Sequence, residues 1–131
     1  MAGFSDYLED KVLDHVFGGT AYTAPGTLYV GLYTAAPSDS GGGTEVSGGS
    51  YARKSMPAMT VSGTSPTEAT NGAAVEFITA TGSWGTVTHV GVFDASSSGN
   101  LLAWAALTAS KTVSSGDVFR FDAGDLDITL A

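Results

Sequence analysis

Hydrophobic side chains recur at helical spacing only in the first part of the chain. Five of them share one predicted helix face: Leu8, Val12, Leu13, Val16 and Phe17. Ser5 precedes this run as a predicted N-cap, and Gly18 with Gly19 predicts the C-terminal end. Because about twelve residues are marginal as an isolated helix, the pattern predicts packing on the domain itself or on another chain.

The pattern changes to a period of two from residue 27, which is typical of strands. Both faces of segment 27–34 are apolar or aromatic, which predicts a central strand covered on both sides. Further strands are expected at 51–61 (weak, with Pro57 at an edge or bend), 73–79, 86–93, 101–108, 118–121 and 126–130. These short strands predict a mainly β fold, an antiparallel β-sandwich that is jelly-roll-like or Ig-like, with one short N-terminal α-helix.

Turn-forming residues dominate the stretches between these strands. Residues 35–50 hold a proline and a run of glycines and are expected to form a long surface loop. Residues 62–72 predict a turn-rich connector, and residues 94–100 predict a hairpin connection. We expect two parts: residues 1–19 as an amphipathic anchoring arm and residues 20–131 as a β-sandwich domain.

Composition narrows the classes of partner. The 131 residues carry 13 acidic and 5 basic side chains, for a net charge of −8, which argues against nucleic acid because phosphate contacts need clusters of Lys or Arg. The chain has no Cys, which excludes disulfides and thiolate chemistry. No apolar run approaches the roughly 20 residues that span a bilayer, and no signal peptide opens the chain, so no membrane partner is expected.

The chemistry-bearing residues do not form a catalytic pattern. His15 lies on the predicted helix and His89 in mid-strand, with no G-x-S-x-G elbow. The acids at positions 122, 125 and 127 fit turn formation better than a catalytic carboxylate pair. Asp94 begins a stretch with the first oxygen spacings of an EF-hand loop, but Ala105 stands where a Glu is required, which favours a hairpin turn. We therefore expect no enzyme, no cofactor and no metal site.

Aromatic side chains are the remaining candidates for a ligand site. Trp84 and Trp104 lie in strand-rich segments, and Tyr29 and Tyr33 share one strand face. Aromatic residues on a sheet face can stack on sugars or anchor a protein partner, and they also fill cores. The pattern leaves both uses open and favours core packing.

Several segments resemble a family of small tailed-phage virion structural proteins. They are the opening MAGFSDYLEDKVLDHVFGG, the segment TLYVGLYTAAPSDSGGGTEVSGGSYAR, the pair WGTVTHVGVFDA and NLLAWAALTASKTVSSGD, and the ending FDAGDLDITL. Members are often labelled tail-fibre proteins, and the family is also similar to the cement, or head decoration, proteins of HK97-type capsids. The resemblance implies a jelly-roll-like β-sandwich that is multimeric on the virion.

This resemblance implies a non-enzymatic cement protein on the outer surface of the capsid, made in the host cytoplasm. Such a protein stabilises the shell by bridging capsomers, with the major capsid protein and copies of itself as partners. The compact chain favours this role, because a fibre subunit usually needs elongated or repetitive segments. The alternative is a tail-fibre or tail-tip protein that binds host surface glycans.

The predicted partner-binding residues lie around the helix and in the glycine-rich loop. They are Phe4, Tyr7, Leu8, Val12, Leu13, Val16 and Phe17 around the helix, and Asp39 and Glu45 in the loop. We expect the helix to act as an anchoring arm, because its apolar stripe needs a surface to cover it.

Overall fold

The computed structural model describes residues 3–130, so the predicted domain limits at residues 1 and 131 lie outside this range. Helix α1 spans Asp6–Leu13 and continues as a π-helical turn over Asp14–Gly18. The strands are β1 (Gly3–Phe4), β2 (Leu28–Ala35), β3 (Thr44–Glu45), β4 (Lys54–Met56), β5 (Thr60–Ser62), β6 (Thr67–Thr70), β7 (Val75–Glu76), β8 (Gly85–Phe93), β9 (Leu101–Val113), β10 (Arg120–Phe121) and β11 (Asp127–Leu130). The division of the chain at residue 19 stays a prediction.

The helix begins and ends where the sequence predicts. The Ser5 hydroxyl oxygen accepts a hydrogen bond of 3.3 Å from the Leu8 N–H, which makes Ser5 the N-cap. Gly19 follows the π-helical turn with a φ of 78°, the left-handed conformation that glycine adopts after a helix. Both predicted limits are therefore confirmed. Within residues 3–130, no helix has the length and apolar character needed to cross a membrane.

The largest sheet has six strands in the order β1-β9-β8-β2-β3, with β4 also paired to β2. Strand β2 pairs antiparallel with β8 along one edge and with β3 and β4 along the other, so it is central. Val30 and Leu32 are buried in the main core, whereas Tyr33 belongs to a second cluster. The predicted central strand with two covered faces is confirmed.

Two smaller antiparallel sheets complete the fold. One has three strands in the order β11-β6-β5, and the other pairs β10 with β7. The main hydrophobic core joins Val30 and Leu32 of the large sheet to Val75 of β7 and Phe121 of β10. The predicted mainly β-sandwich with one N-terminal helix is confirmed, and its jelly-roll strand order stays a prediction.

A second, smaller cluster lies apart from the main core. Its buried members are Tyr33, Phe93 and Leu101, with half-buried Tyr29 and Trp104 packed against them. Gly91 is a residue of β8 in this region, and a Cβ there would lie 3.0 Å from the Tyr33 ring and 2.9 Å from the Leu101 side chain. Glycine is required at this position because neighbouring side chains cross directly over the backbone.

Several strand limits differ from the prediction. The predicted loop 35–50 contains β3 and buries Val46, and the predicted connector 62–72 contains β6. These segments are rich in Ser, Thr and Gly, which signal turns, but backbone pairing with neighbouring strands holds them extended. Strands β7 and β10 are shorter than predicted, β9 runs on to Val113, and the expected break at Pro57 separates β4 from β5.

Candidate functional site

The base of the N-terminal arm is joined to the edge of the large sheet. Phe4 pairs with Ala103 of β9, so the first described residues add a short strand to that edge. Ser5 is only 1% exposed. Its N–H donates to the Leu102 carbonyl at 2.8 Å, and its hydroxyl donates to the Leu101 carbonyl. The start of the helix is therefore fixed in position by backbone pairing rather than left as a free tail.

Asp39 fastens the glycine-rich loop to both the arm and the sheet. Ser38 and Gly41 exchange two backbone hydrogen bonds, which place Asp39 in a tight turn. Its carbonyl accepts from the Asp6 N–H at 2.9 Å, and its Oδ1 accepts from the Trp104 indole N–H at 2.9 Å. The predicted partner-binding residue Asp39 thus has structural partners within the chain.

The far end of the arm exposes its apolar side chains. Leu13, Val16 and Phe17 are 59%, 60% and 82% exposed, and we call these three residues the arm patch. Leu8 and Val12, from the same predicted stripe, are half-buried. The stripe is therefore divided, with its first part against the domain and its last part in solvent.

The π-helical turn and the chain after it hold the arm patch in place. His15 Nδ1 accepts a hydrogen bond of 2.9 Å from the Tyr22 backbone N–H. The Tyr22 ring packs edge-on against Tyr7, with ring centroids 6.5 Å apart. His15 therefore has a structural contact that the sequence pattern did not indicate.

Glu45 forms an ion pair with Arg53 beside the arm. Arg53 Nε and Nη2 each donate to a different carboxylate oxygen of Glu45 at 2.9 Å, which is a bidentate pair. The Tyr51 hydroxyl donates to the same carboxylate at 2.7 Å and accepts from the Leu32 N–H at 2.9 Å. Burial raises the pKa of Tyr51, so it stays a neutral donor. Glu45, predicted to bind a partner, is thus a structural acceptor.

The rest of the Arg53 side chain is also engaged. Its guanidinium carbon lies 3.5 Å from the centre of the Phe93 ring, and its Nη1 donates to the Ala95 and Ser98 carbonyls at 3.0 and 2.8 Å. Burial lowers the pKa of Arg53, but the hydrogen bonds and charge of Glu45 outweigh it and raise the pKa overall. Arg53 therefore ties the glycine-rich loop to the hairpin loop at 94–100.

An open cavity of about 510 Å³, which we call the arm cavity, lies where these elements meet. Residues at its wall come from the start of the helix, the turn at 38–41, Arg53 and the hairpin loop. Of the predicted residues it brings together Tyr7 and Asp39, and Glu45 lies behind it on Arg53. Phe4, Leu8, Val12 and the arm patch do not line it.

Tyr33, one of the aromatic candidates that the sequence offered, is among the buried residues that line this cavity. It lines the arm cavity and is only 5% exposed. Its ring stacks on Phe93 with centroids 6.2 Å apart. Burial, assisted by the negative charge of Glu45, raises the pKa of Tyr33 to about 12. Its place on the aromatic face of the central strand was the signal available in the sequence.

The other candidate groups have structural roles. Asp94 accepts from the N–H and side-chain amide of Asn100, and Asp125 accepts from the Asp122 N–H, as hairpin and turn residues do. Trp84 is 3% exposed, so core packing is confirmed for it. Across residues 3–130 no cluster of three His, Asp or Glu side chains is placed to hold a metal ion.

The fold and this surface define a small β-sandwich protein with a fixed helical arm and an exposed apolar patch. The family model for the podophage GP4 fiber I protein gp80 matches residues 3–129, and the chain belongs to that family. It is therefore a structural protein of the bacteriophage virion, as the resemblance implied. No curated protein matches the chain.

Proposed function

We propose that this chain is a small structural subunit of the phage fibre, attached to the virion through its N-terminal arm. The observation that carries the proposal is the arm patch: three apolar side chains in solvent on a helix whose base is hydrogen-bonded to the domain. The description of the family as fibre proteins supports the fibre over the capsid surface.

The arm is suited to docking because it is already ordered. Ser5 caps the helix and joins it to β9, so little conformational entropy remains to be lost on binding. Full burial of each arm-patch side chain contributes about 1.5–3 kcal/mol. Such a contact is modest alone, and repetition by symmetry on a virion raises the overall avidity.

The charges around the patch indicate the partner's chemistry. Acidic side chains at positions 6, 9, 10 and 14 outnumber the single lysine, Lys11, along this helix. A second copy would bring like charges together, so the arm fits an apolar groove with Lys or Arg at its rim on another virion protein. Copies of this chain then gather on that shared partner.

A triple substitution tests the docking role. Leu13→Ser, Val16→Ser and Phe17→Ser together should change the free energy of unfolding of the isolated chain by only about 0.5 kcal/mol per site, because these side chains are exposed. Virions assembled with this variant should lack the protein, measured by quantitative mass spectrometry of purified particles.

The matched control removes exposed apolar groups from the body of the domain. Val61 is 69% exposed and Ile78 is 59% exposed, so the double variant Val61→Ser with Ile78→Ser alters comparable surface away from the arm. It should enter virions at the wild-type copy number. Normal incorporation of the triple arm variant would refute docking through the arm.

The second candidate is a cement protein that bridges capsomers on the outer shell. Its support is the compactness of the described residues, whose longest strand is the 13-residue β9 and which form a single sandwich with one short arm. Copy number and gold-labelled electron microscopy of intact virions separate the two roles. A few copies at the tail fit the fibre, and hundreds over the capsid would overturn the fibre proposal in favour of cement.

A further inference from the structure

We propose that the arm cavity binds a neutral sugar unit, with the Tyr33 hydroxyl as a hydrogen-bonding group at its floor. The inference depends on the proposed fibre role for its biological purpose, but not for its test, which uses the isolated chain. The sugar site is separate from the arm patch, since Leu13, Val16 and Phe17 do not line this cavity.

The Tyr33 hydroxyl is the first observation. Tyr33 is only 5% exposed and lines the cavity. No other group within residues 3–130 forms a hydrogen bond with its hydroxyl. Every fully sealed side-chain N or O in that range has a hydrogen-bond partner, so the Tyr33 hydroxyl, which has none, keeps contact with solvent, and the open cavity that Tyr33 lines provides that contact. Water reaches this hydroxyl through the open cavity, so a ligand hydroxyl at this point replaces a water molecule and contributes a net hydrogen bond of about 0.5–1.5 kcal/mol.

The charges at the cavity wall favour a neutral, hydroxyl-rich ligand. Four of the five Arg53 N–H groups donate within the chain, to Glu45, Ala95 and Ser98, so its charge is already paired. Asp6 and Asp39 both line the cavity. Each has at least one carboxylate oxygen that accepts no hydrogen bond from the other groups of residues 3–130. These acceptors bind ligand hydroxyls and repel phosphate or carboxylate groups.

Shape and surface agree with this chemistry. The volume of about 510 Å³ falls within the range of small-molecule sites and accommodates a monosaccharide or a disaccharide. Tyr7 lines the same cavity and provides an aromatic wall for the C–H groups of a sugar ring. Its position is fixed by the edge contact with Tyr22. The site therefore combines a buried hydroxyl, carboxylate acceptors and an aromatic side chain.

NMR titration of the isolated ¹⁵N-labelled chain tests the site. The probes are the methyl glycosides of glucose, galactose, mannose and N-acetylglucosamine, with glucose 6-phosphate and N-acetylneuraminic acid as anionic counter-probes. At least one neutral probe should shift the amide signals of Tyr33, Asp39 and Gly41, and neither anionic probe should do so. Tyr33→Phe should weaken that binding about five-fold or more, which is the loss of one hydrogen bond.

Tyr29→Phe is the matched control, because it removes the phenol oxygen of a half-buried tyrosine on the same strand that does not line the cavity. It should bind the neutral probe as the wild type does. Tyr33→Phe removes only a hydroxyl without a protein partner, so it should fold normally, which its amide spectrum checks. Absence of shifts with all four neutral sugars, tighter binding of an anionic probe, or unchanged binding by folded Tyr33→Phe would each overturn the proposal. Virion incorporation tests the arm patch alone, so the two failures are distinguishable.

Discussion

At the residue scale, the Glu45 carboxylate accepts from both Arg53 and Tyr51 and so joins a loop to the large sheet. Arg53→Ala would leave this largely buried carboxylate without its cation and remove the stacking on Phe93. We expect the free energy of unfolding to fall by about 2–4 kcal/mol, measured by urea denaturation. Lys54→Ala, at the exposed neighbouring position, should change it by less than about 0.5 kcal/mol. Equal effects of the two substitutions would contradict this role for Arg53.

The phenols beside this pair make stability depend on alkaline pH. Burial raises the pKa of Tyr33 from 10.0 to about 12 and also raises the pKa of Tyr51. Because the folded pKa is above the unfolded one, the stabilising contribution is complete below pH 10 and is lost as the pH rises through 12. Urea denaturation at pH 9, 10 and 11 should show a falling free energy of unfolding. Tyr33→Phe should fall less steeply, and a slope identical to the wild type would refute the assignment.

Single residues also show why some contacts of the site could not be predicted from the sequence. The Ser5 cap could be predicted, because its signal is local. The Glu45–Arg53 pair could not, because its partners are joined through a loop whose Ser and Gly content indicates only flexibility. Asn71 is 2% exposed and bonds residues 73, 122, 124 and 126 through its amide, yet it lies in a segment predicted to be a turn. The role of Asn71 depends on partners more than 50 residues away, and that of Glu45 depends on how the folded loop returns to Arg53.

At the element scale, strands with strong apolar alternation were predictable and short polar ones were not. Strand β2 and strand β8 were expected close to their observed limits, since their side chains enter the core. Strands β1, β3 and β6 were missed because backbone pairing with a neighbour defines them. The amphipathic helix was predicted, but the division of its stripe between the domain and solvent depends on how β1 directs it along β9.

The attachment of the helix gives a prediction for Ser5. Ser5→Ala removes both the N-cap acceptor for the Leu8 N–H and the buried hydrogen bond to the Leu101 carbonyl. The free energy of unfolding should fall by about 1–2 kcal/mol, with faster hydrogen exchange at the first helical amides. Ser96→Ala, an exposed serine in the hairpin loop, should leave both measurements unchanged. Helix protection that persists in Ser5→Ala would show that the tertiary contacts alone hold the arm.

At the scale of the whole molecule, composition and pattern were enough for the fold class, since the alternation along the strands separates a sandwich interior from solvent. They did not define the arm cavity, which forms only where the arm, two loops and the large sheet converge. Partner binding by the expected residues of the arm stays a prediction, although the structure places Leu13, Val16 and Phe17 in solvent. Asp39 and Glu45 instead stabilise that convergence from within.

The net charge of −8 opposes association between copies of the chain, whereas the exposed arm patch favours it. Charge repulsion at pH 7 keeps the patches of separate chains apart and leaves the arm free for a partner with a basic rim. Near the isoelectric point of about 4.3 this repulsion disappears, so we expect light scattering to rise steeply as the patches associate. The triple arm variant should stay dispersed at that pH, whereas the Val61→Ser, Ile78→Ser control should associate like the wild type. Equal association of all three chains would mean that another surface of the domain, rather than the arm, drives contact between copies.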